Sequence, residues 1–215
     1  MWERMRPYHD AVLRHPFVRG LTDGTLPTDA FARYVVQDAL YLRDYGRALA
    51  LCAARAADTE TLRMFCLHAA EAIDAERALH THLMAELGID PAQAMVTEPS
   101  PTCRAYTSFL LGACTLGERH EAFAAILPCY WIYREVGRAL IGLGSPDARY
   151  ATWIATYGGD EFAAAANGAI AACDSALAGL GATELEHAHG HAVISSRYEW
   201  MFWDAAWRDE RWPAM

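Results

Sequence analysis

The chain has 215 residues, 53% of them apolar, and a formal net charge of −9; this is enough apolar mass for a substantial core, and the acidic balance argues against a nucleic-acid backbone or an anionic membrane surface as partner. No apolar run reaches the roughly 20 residues that cross a bilayer. All 18 basic residues are arginine, which excludes a Schiff-base lysine, and with it ordinary pyridoxal-phosphate chemistry, and also a P-loop.

The periodicity predicts helices throughout, because Leu, Ala, Arg and Glu dominate and no β-branched run alternates with polar residues. The predicted helices run over 2–14, 28–56, 59–87, 101–116, 118–142, 146–157, 160–179 and 183–211. Ser100-Pro101 and Ser145-Pro146 read as an N-cap followed by proline at the first helical position. Thr28 is placed to cap the helix that begins near Asp29, and Thr183 with Glu186 has the spacing of a capping box. Gly88, Gly144 and the pair Gly158-Gly159 mark expected stops. The longest irregular piece is about 90–100, and no Pro/Gly/Ser-rich linker interrupts the pattern, so one all-α domain over residues 1–215 is expected. The charged start, Met1 to Arg6, has no apolar stretch behind it, so no signal peptide and a cytoplasmic location are expected. The six cysteines contain no Cys-x-x-Cys pair and read as free thiols rather than as a disulfide frame or a zinc cluster.

Five segments carry residues with chemical potential. In the second predicted helix, Tyr34, Asp38, Tyr41 and Tyr45 share one face by their spacing. A carboxylate among tyrosines is either a surface Asp beside half-buried rings or a holder for a flat base with amino and ring-nitrogen donors, since an unpaired buried charge is costly. Tyr106 shares a face with Phe109, where core packing is the default. Cys129 follows Pro128 in an aromatic stretch (Tyr130, Trp131, Tyr133); the proline removes a backbone N–H, and the thiol is either a buried structural cysteine or a nucleophile facing a flat ligand. Trp153 and Tyr157 are i, i+4 neighbours ahead of the double glycine, a rim tyrosine or one whose hydroxyl turns into a cavity. Near the C-terminus Ser195, Ser196, Glu199, Phe202 and Trp203 line one face. A glutamate packed on aromatics has a raised pKa and serves as an acid near neutral pH; exposed on an amphipathic helix it does not.

Two groups of residues have metal-ligand character. Glu184 and His187 form one Glu-x-x-His pair, but a di-iron bundle needs that motif twice with two further glutamates, and neither Glu118-Arg119-His120 nor Glu76 with His80 supplies the second copy. Only His187 and His191 of the alternating histidines could share an ion. His9 or His15 could ligate a haem, without an evident basic cluster for its propionates.

The pieces Gln37-Asp38-x-x-Tyr41-Leu42, Tyr106-Thr107-Ser108, Leu127-Pro128-Cys129-Tyr130-Trp131, Trp153-Ile154-x-x-Tyr157 and Ser195-Ser196-x-Tyr198-Glu199 occur in that order. Together they resemble the TenA family, the thiaminase II or aminopyrimidine aminohydrolase group. The resemblance implies a haem-oxygenase-like single-domain helical bundle without haem, no cofactor and no metal, and a homotetramer. It implies hydrolysis of the bond between a pyrimidine's exocyclic methylene and its leaving group, in thiamin or in 4-amino-5-aminomethyl-2-methylpyrimidine, to give the hydroxymethyl pyrimidine for thiamin salvage. It implies Cys129 as nucleophile, Glu199 as proton donor and later base, Asp38 on the 4-amino edge, Tyr41, Tyr106, Tyr133 and Tyr157 around the ring, and Phe202 in the pocket wall. A non-catalytic aminopyrimidine-binding or regulatory protein on the same scaffold, and a metal- or haem-using oxygenase of related fold, remain open on the sequence alone.

Overall fold

The computed structural model describes residues 1–75 and 81–213, and these are helical with no strand. Eleven helices are described: α1 (Trp2–Leu13), α2 (Pro16–Asp23), α3 (Thr28–Ala54), α4 (Thr59–Ala75), α5 (Thr81–Glu86), α6 (Pro91–Val96), α7 (Pro101–Leu116), α8 (Arg119–Ile141), α9 (Ala148–Gly158), α10 (Asp160–Leu177) and α11 (Ala182–Trp207). The predicted helix 59–87 crosses residues 76–80, which lie outside the described residues, as do Glu76 and His80 of the metal reading. On either side stand α4 and α5.

The helix starts follow the expected caps in one case and depart from them in others. Ser100 caps α7 as expected, its Oγ accepting from the Cys103 N–H at 3.2 Å. Ser145 does not cap α9; Asp147 does, accepting from the Arg149 N–H at 2.9 Å, and a carboxylate there suits the positive helix end better than a hydroxyl. Thr28 is already inside α3, whose N-cap is Pro27. Thr183 and Glu186 form no capping box: the N-cap of α11 is Gly181, two residues earlier, so Glu184 reaches back to the Gly181 N–H at 2.9 Å while Glu186 pairs with Arg4 at 2.6 Å. Two short helices were not anticipated. In α2 the His15 Nδ1 accepts from the Phe17 N–H at 3.1 Å, with Pro16 next in line. In α6 the Asp90 carboxylate accepts from the Ala92 N–H at 2.9 Å, with Pro91 next.

Helix α8 is the hub, with α1, α3, α7, α9, α10 and α11 all packed on it. Its buried residues fall on every side, as a helix surrounded by others requires. Trp203 of α11 ties the layers together. Its ring stacks on Tyr34 of α3 at 5.0 Å and on Tyr133 of α8 at 5.4 Å, and meets Trp153 of α9 edge-on at 5.3 Å. Aromatic pairs of this kind add about 0.5–1.5 kcal/mol each beyond the area they bury, so the cluster ties α3, α8, α9 and α11 together at one point.

Gly137 sets the spacing of α8 and α9. A Cβ at Gly137 would lie 2.3 Å from the Tyr157 carbonyl carbon and 2.6 Å from the Gly158 nitrogen. The obstacle is backbone, so no rotamer change relieves it. Gly137→Ala gains about 1 kcal/mol of helix propensity against an overpacking cost of about 1–3 kcal/mol, and the rigid clash puts the outcome at the upper end of that range. The expected result is a Tm lowered by at least roughly 3 °C in a thermal melt; an unchanged or raised Tm would mean the two backbones do not touch there.

Candidate active site

Helices α3, α4, α8, α9 and α10 enclose a cavity of about 170 Å³. The stripe on α3 points Asp38, Tyr41 and Tyr45 into it; α8 supplies Cys129, Tyr130 and Tyr133; α9 supplies Tyr157. Asp38, Tyr41, Cys129, Tyr133 and Tyr157, all predicted site residues, therefore meet on one wall. Asp38 is buried among these rings rather than on the surface. Tyr133 and Tyr157 pack at 4.9 Å, and Tyr133 donates to or accepts from the Tyr34 hydroxyl at 3.1 Å.

The other three predicted residues stand one layer back. Glu199 and Tyr106 are buried behind the wall, with the Tyr106 ring 5.1 Å from that of Tyr41. Phe202 packs on Tyr41 at 5.6 Å and turns toward a separate hollow of about 560 Å³ between α3 and the end of α11. Residues that sequence reasoning missed include His68 and Glu71 of α4, Tyr130, Thr156 and Phe162. Tyr130 adjoins Cys129, but nothing in the α4 sequence marked His68 or Glu71; only the packing of α4 against α3 reveals them.

Pro128 lies inside α8, and the helix continues through it. Lacking an N–H, it leaves the Ala124 carbonyl without its usual partner. The next two carbonyls are taken by side chains from neighbouring helices: Ser195 Oγ donates to Ala125 at 2.6 Å, and the Tyr45 hydroxyl donates to Ile126 at 3.0 Å. The turn carrying Cys129 is thus anchored to α3 and α11.

A hydrogen-bonded chain leads to Glu199. The Ser195 hydroxyl donates to the Ala125 carbonyl at 2.6 Å and lies 3.1 Å from the Tyr106 hydroxyl, with which it shares that proton. The Tyr106 hydroxyl donates to Glu199 Oε1 at 2.5 Å. Burial, opposed by the Tyr106 hydrogen bond and aided by the charge of Asp38, raises the Glu199 carboxyl to about 8.

Burial also pushes the Cys129 thiol well above its ordinary value, and the charges of Glu199 and then Asp38 add to the rise, while the Tyr41 and Tyr45 hydroxyls favour the anion. The Tyr41 hydroxyl is buried with no well-formed hydrogen bond among the described residues. Among the described residues no arginine lines the cavity. Among the described residues no three His, Cys, Asp or Glu side chains group as a metal site. His187 sits 3.5 Å from Glu121. His15 uses Nδ1 to cap α2 and holds Nε2 3.4 Å from Asp204; neither it nor His9 lines the cavity.

A model of the TENA/THI-4/PQQC family matches residues 2–209. The chain is 38% identical to the aminopyrimidine aminohydrolase of Bacillus subtilis (strain 168), over 92% of this chain and 84% of that protein. It is 35% identical to the aminopyrimidine aminohydrolase of Halalkalibacterium halodurans, over 99% and 96%. Among solved structures, a TenA homologue from P. horikoshii OT3 superposes with a TM-score of 0.87 at 28% identity, covering 96% of this chain and 95% of that one. A domain of unknown function with a haem oxygenase-like fold from Shewanella denitrificans OS217 superposes with a TM-score of 0.74 at 14% identity, over 96% and 90%, which extends the likeness of fold alone.

Proposed function

The chain belongs to the TENA/THI-4/PQQC family, and on that premise we propose that it is a cofactor-free hydrolase of thiamin salvage. It cleaves the exocyclic methylene C–N bond of 4-amino-5-aminomethyl-2-methylpyrimidine to give the hydroxymethyl pyrimidine. The observation that carries the reading is the meeting of a thiol, a buried carboxylate and three tyrosines on one wall of a small cavity: Cys129, Asp38, Tyr41, Tyr133 and Tyr157.

In this reading Asp38 accepts from the 4-amino group, and the tyrosine rings sandwich and border the heterocycle. A neutral aminopyrimidine is a poor electrophile, and the Cys129 thiol is a poor nucleophile at its raised pKa. One proton transfer corrects both. In its ionised form Glu199, whose charge is felt at Cys129, takes the thiol proton and passes it to a ring nitrogen. The thiolate then adds to a ring carbon, the adduct's electrons expel the amine from the methylene, water adds at that carbon with Glu199 as base, and the thiolate leaves. One hard displacement becomes several easier steps. The protonated ring supplies a positive charge beside the thiolate.

The cavity volume of about 170 Å³ is below the roughly 300–1,000 Å³ of sites that take drug-sized ligands. It suits a single ring with a small substituent, and so favours the aminomethyl compound over intact thiamin. The enzyme is proposed to act as a single-domain cytoplasmic protein and as a homotetramer. The test is to incubate metal-free protein, purified without a His tag, separately with thiamin and with the aminomethyl pyrimidine and to follow hydroxymethyl pyrimidine by mass spectrometry. Product from both, with the larger kcat/KM for the aminomethyl compound, is expected. Pyrimidine binding without product from either would instead identify a binding protein.

A further inference from the structure

The cavity has a buried end and an open one. Asp38, Tyr41, Tyr45 and Tyr133 are buried, whereas Glu71 of α4 and Thr156 of α9 are exposed lining residues. Among the described residues the mouth therefore lies between α4 and α9, and a leaving group or an attacking water must pass it. Glu71 and His68 are three residues apart on α4 and share a face. The His68 Nδ1 lies 3.0 Å from the Tyr130 hydroxyl, which ties this face of α4 to the residue next to Cys129.

We infer that this mouth is the leaving-group subsite, in which Glu71 holds a cationic substituent on the methylene carbon and His68 positions the α4 face that presents it. The inference rests on the reading of the chain as an aminopyrimidine hydrolase and adds a specificity determinant to it. A primary aminomethyl group is an ammonium at neutral pH. When the methylene C–N bond breaks, its electron pair goes to nitrogen, which already carries three protons and departs as neutral ammonia. A carboxylate at the mouth orients the ammonium outward, away from Asp38, which could otherwise bind it in place of the 4-amino edge. It also holds the neutral product less well than the substrate. Burial lowers the basicity of His68, so its ring stays neutral and does not repel the cation.

The test compares charged and neutral ligands in wild type, Glu71→Gln and Glu71→Asp. The probes are the aminomethyl pyrimidine as substrate and the hydroxymethyl pyrimidine as a neutral competitive inhibitor. Glu71→Gln should raise KM for the amine about fivefold, the size of an ion pair at a partly exposed site, and leave kcat and the inhibition constant of the neutral product within twofold. Added salt should raise KM in wild type and not in Glu71→Gln, and Glu71→Asp should keep most of the affinity. Equal shifts for both ligands, or no shift in KM, would overturn the subsite while leaving the hydrolase reading intact. Failure of the wild-type protein to bind or turn over either pyrimidine would overturn both.

Discussion

Cys129→Ala is expected to lower kcat for hydroxymethyl pyrimidine formation by at least about 10³-fold, with the affinity for the product pyrimidine changed less than about threefold. The two expectations come from different parts of the wall. Ring recognition is assigned to Asp38 and the tyrosines of α3, α8 and α9, none of which needs the sulfur. Bond cleavage needs a pair of electrons pushed into the ring, and sulfur is the atom on the wall able to give one. Cys129→Ser separates volume from nucleophilicity. A serine hydroxyl fills the space, but its proton is far harder to remove than a thiol's, so its activity should fall nearly as far as that of alanine. Single-turnover mass spectrometry, with product affinity measured by calorimetry, checks both values. Turnover by Cys129→Ala within about tenfold of wild type would sink the covalent route and leave direct attack of water, guided by Glu199, as the mechanism.

The parts of this site that a sequence reader can see are those where one helix face repeats a chemical type. Tyr34, Asp38, Tyr41 and Tyr45 fall on one side of α3 by spacing alone, and Cys129 and Tyr133 on one side of α8. What spacing cannot say is which faces meet. His68 and Glu71 look like any polar pair on an amphipathic helix, and they join the cavity only because α4 packs on α3. Whether Glu199 is exposed or buried was likewise open until Tyr106 and Ser195 were seen to close over it. The helix-start errors have a different origin. Thr183 and Glu186 match a capping box, but Gly181 takes the extended N-cap conformation, and the two-residue offset gives the role to Glu184. His15 and Asp90 each stand before a proline at the first helical position, a readable signal for α2 and α6 that weak periodicity over six to eight residues obscures.

Glu199→Gln should reduce kcat/KM by about 10²–10⁴-fold, the usual worth of a positioned acid–base group, and should also change the shape of the pH profile. The adduct needs a proton on the ring and none on Cys129. In wild type at neutral pH both Cys129 and Glu199 hold protons, because burial raises the thiol well above its ordinary value and the carboxyl to about 8. Because Glu199 must be a carboxylate to take the thiol proton and is one again after passing it to the ring, the transition state has one proton fewer than the resting enzyme. Since kcat/KM reports the free enzyme, it should rise about tenfold per unit from neutral pH to about 8 and then level, the carboxylate being ready to move the thiol proton to the ring. In Glu199→Gln the break near 8 should vanish, and the low residual rate should keep climbing with pH as the thiol itself ionises. The same substitution reverses sign in stability. The carboxyl ionises at 4.5 ordinarily and near 8 when folded, so between those values the folded chain holds a proton that the unfolded chain has released. Its stabilising effect is complete below pH 4.5 and is lost as pH rises through about 8, a change on the order of a few kcal/mol. Glutamine has no charge to bury, and its side-chain oxygen can accept from Tyr106 as Glu199 Oε1 does. Above pH 8 Glu199→Gln should therefore melt at a higher temperature than wild type while being the poorer catalyst. A variant that kept the wild-type break in kcat/KM, or that lost stability at alkaline pH, would show that Glu199 is neither the group that titrates nor the one that carries the proton.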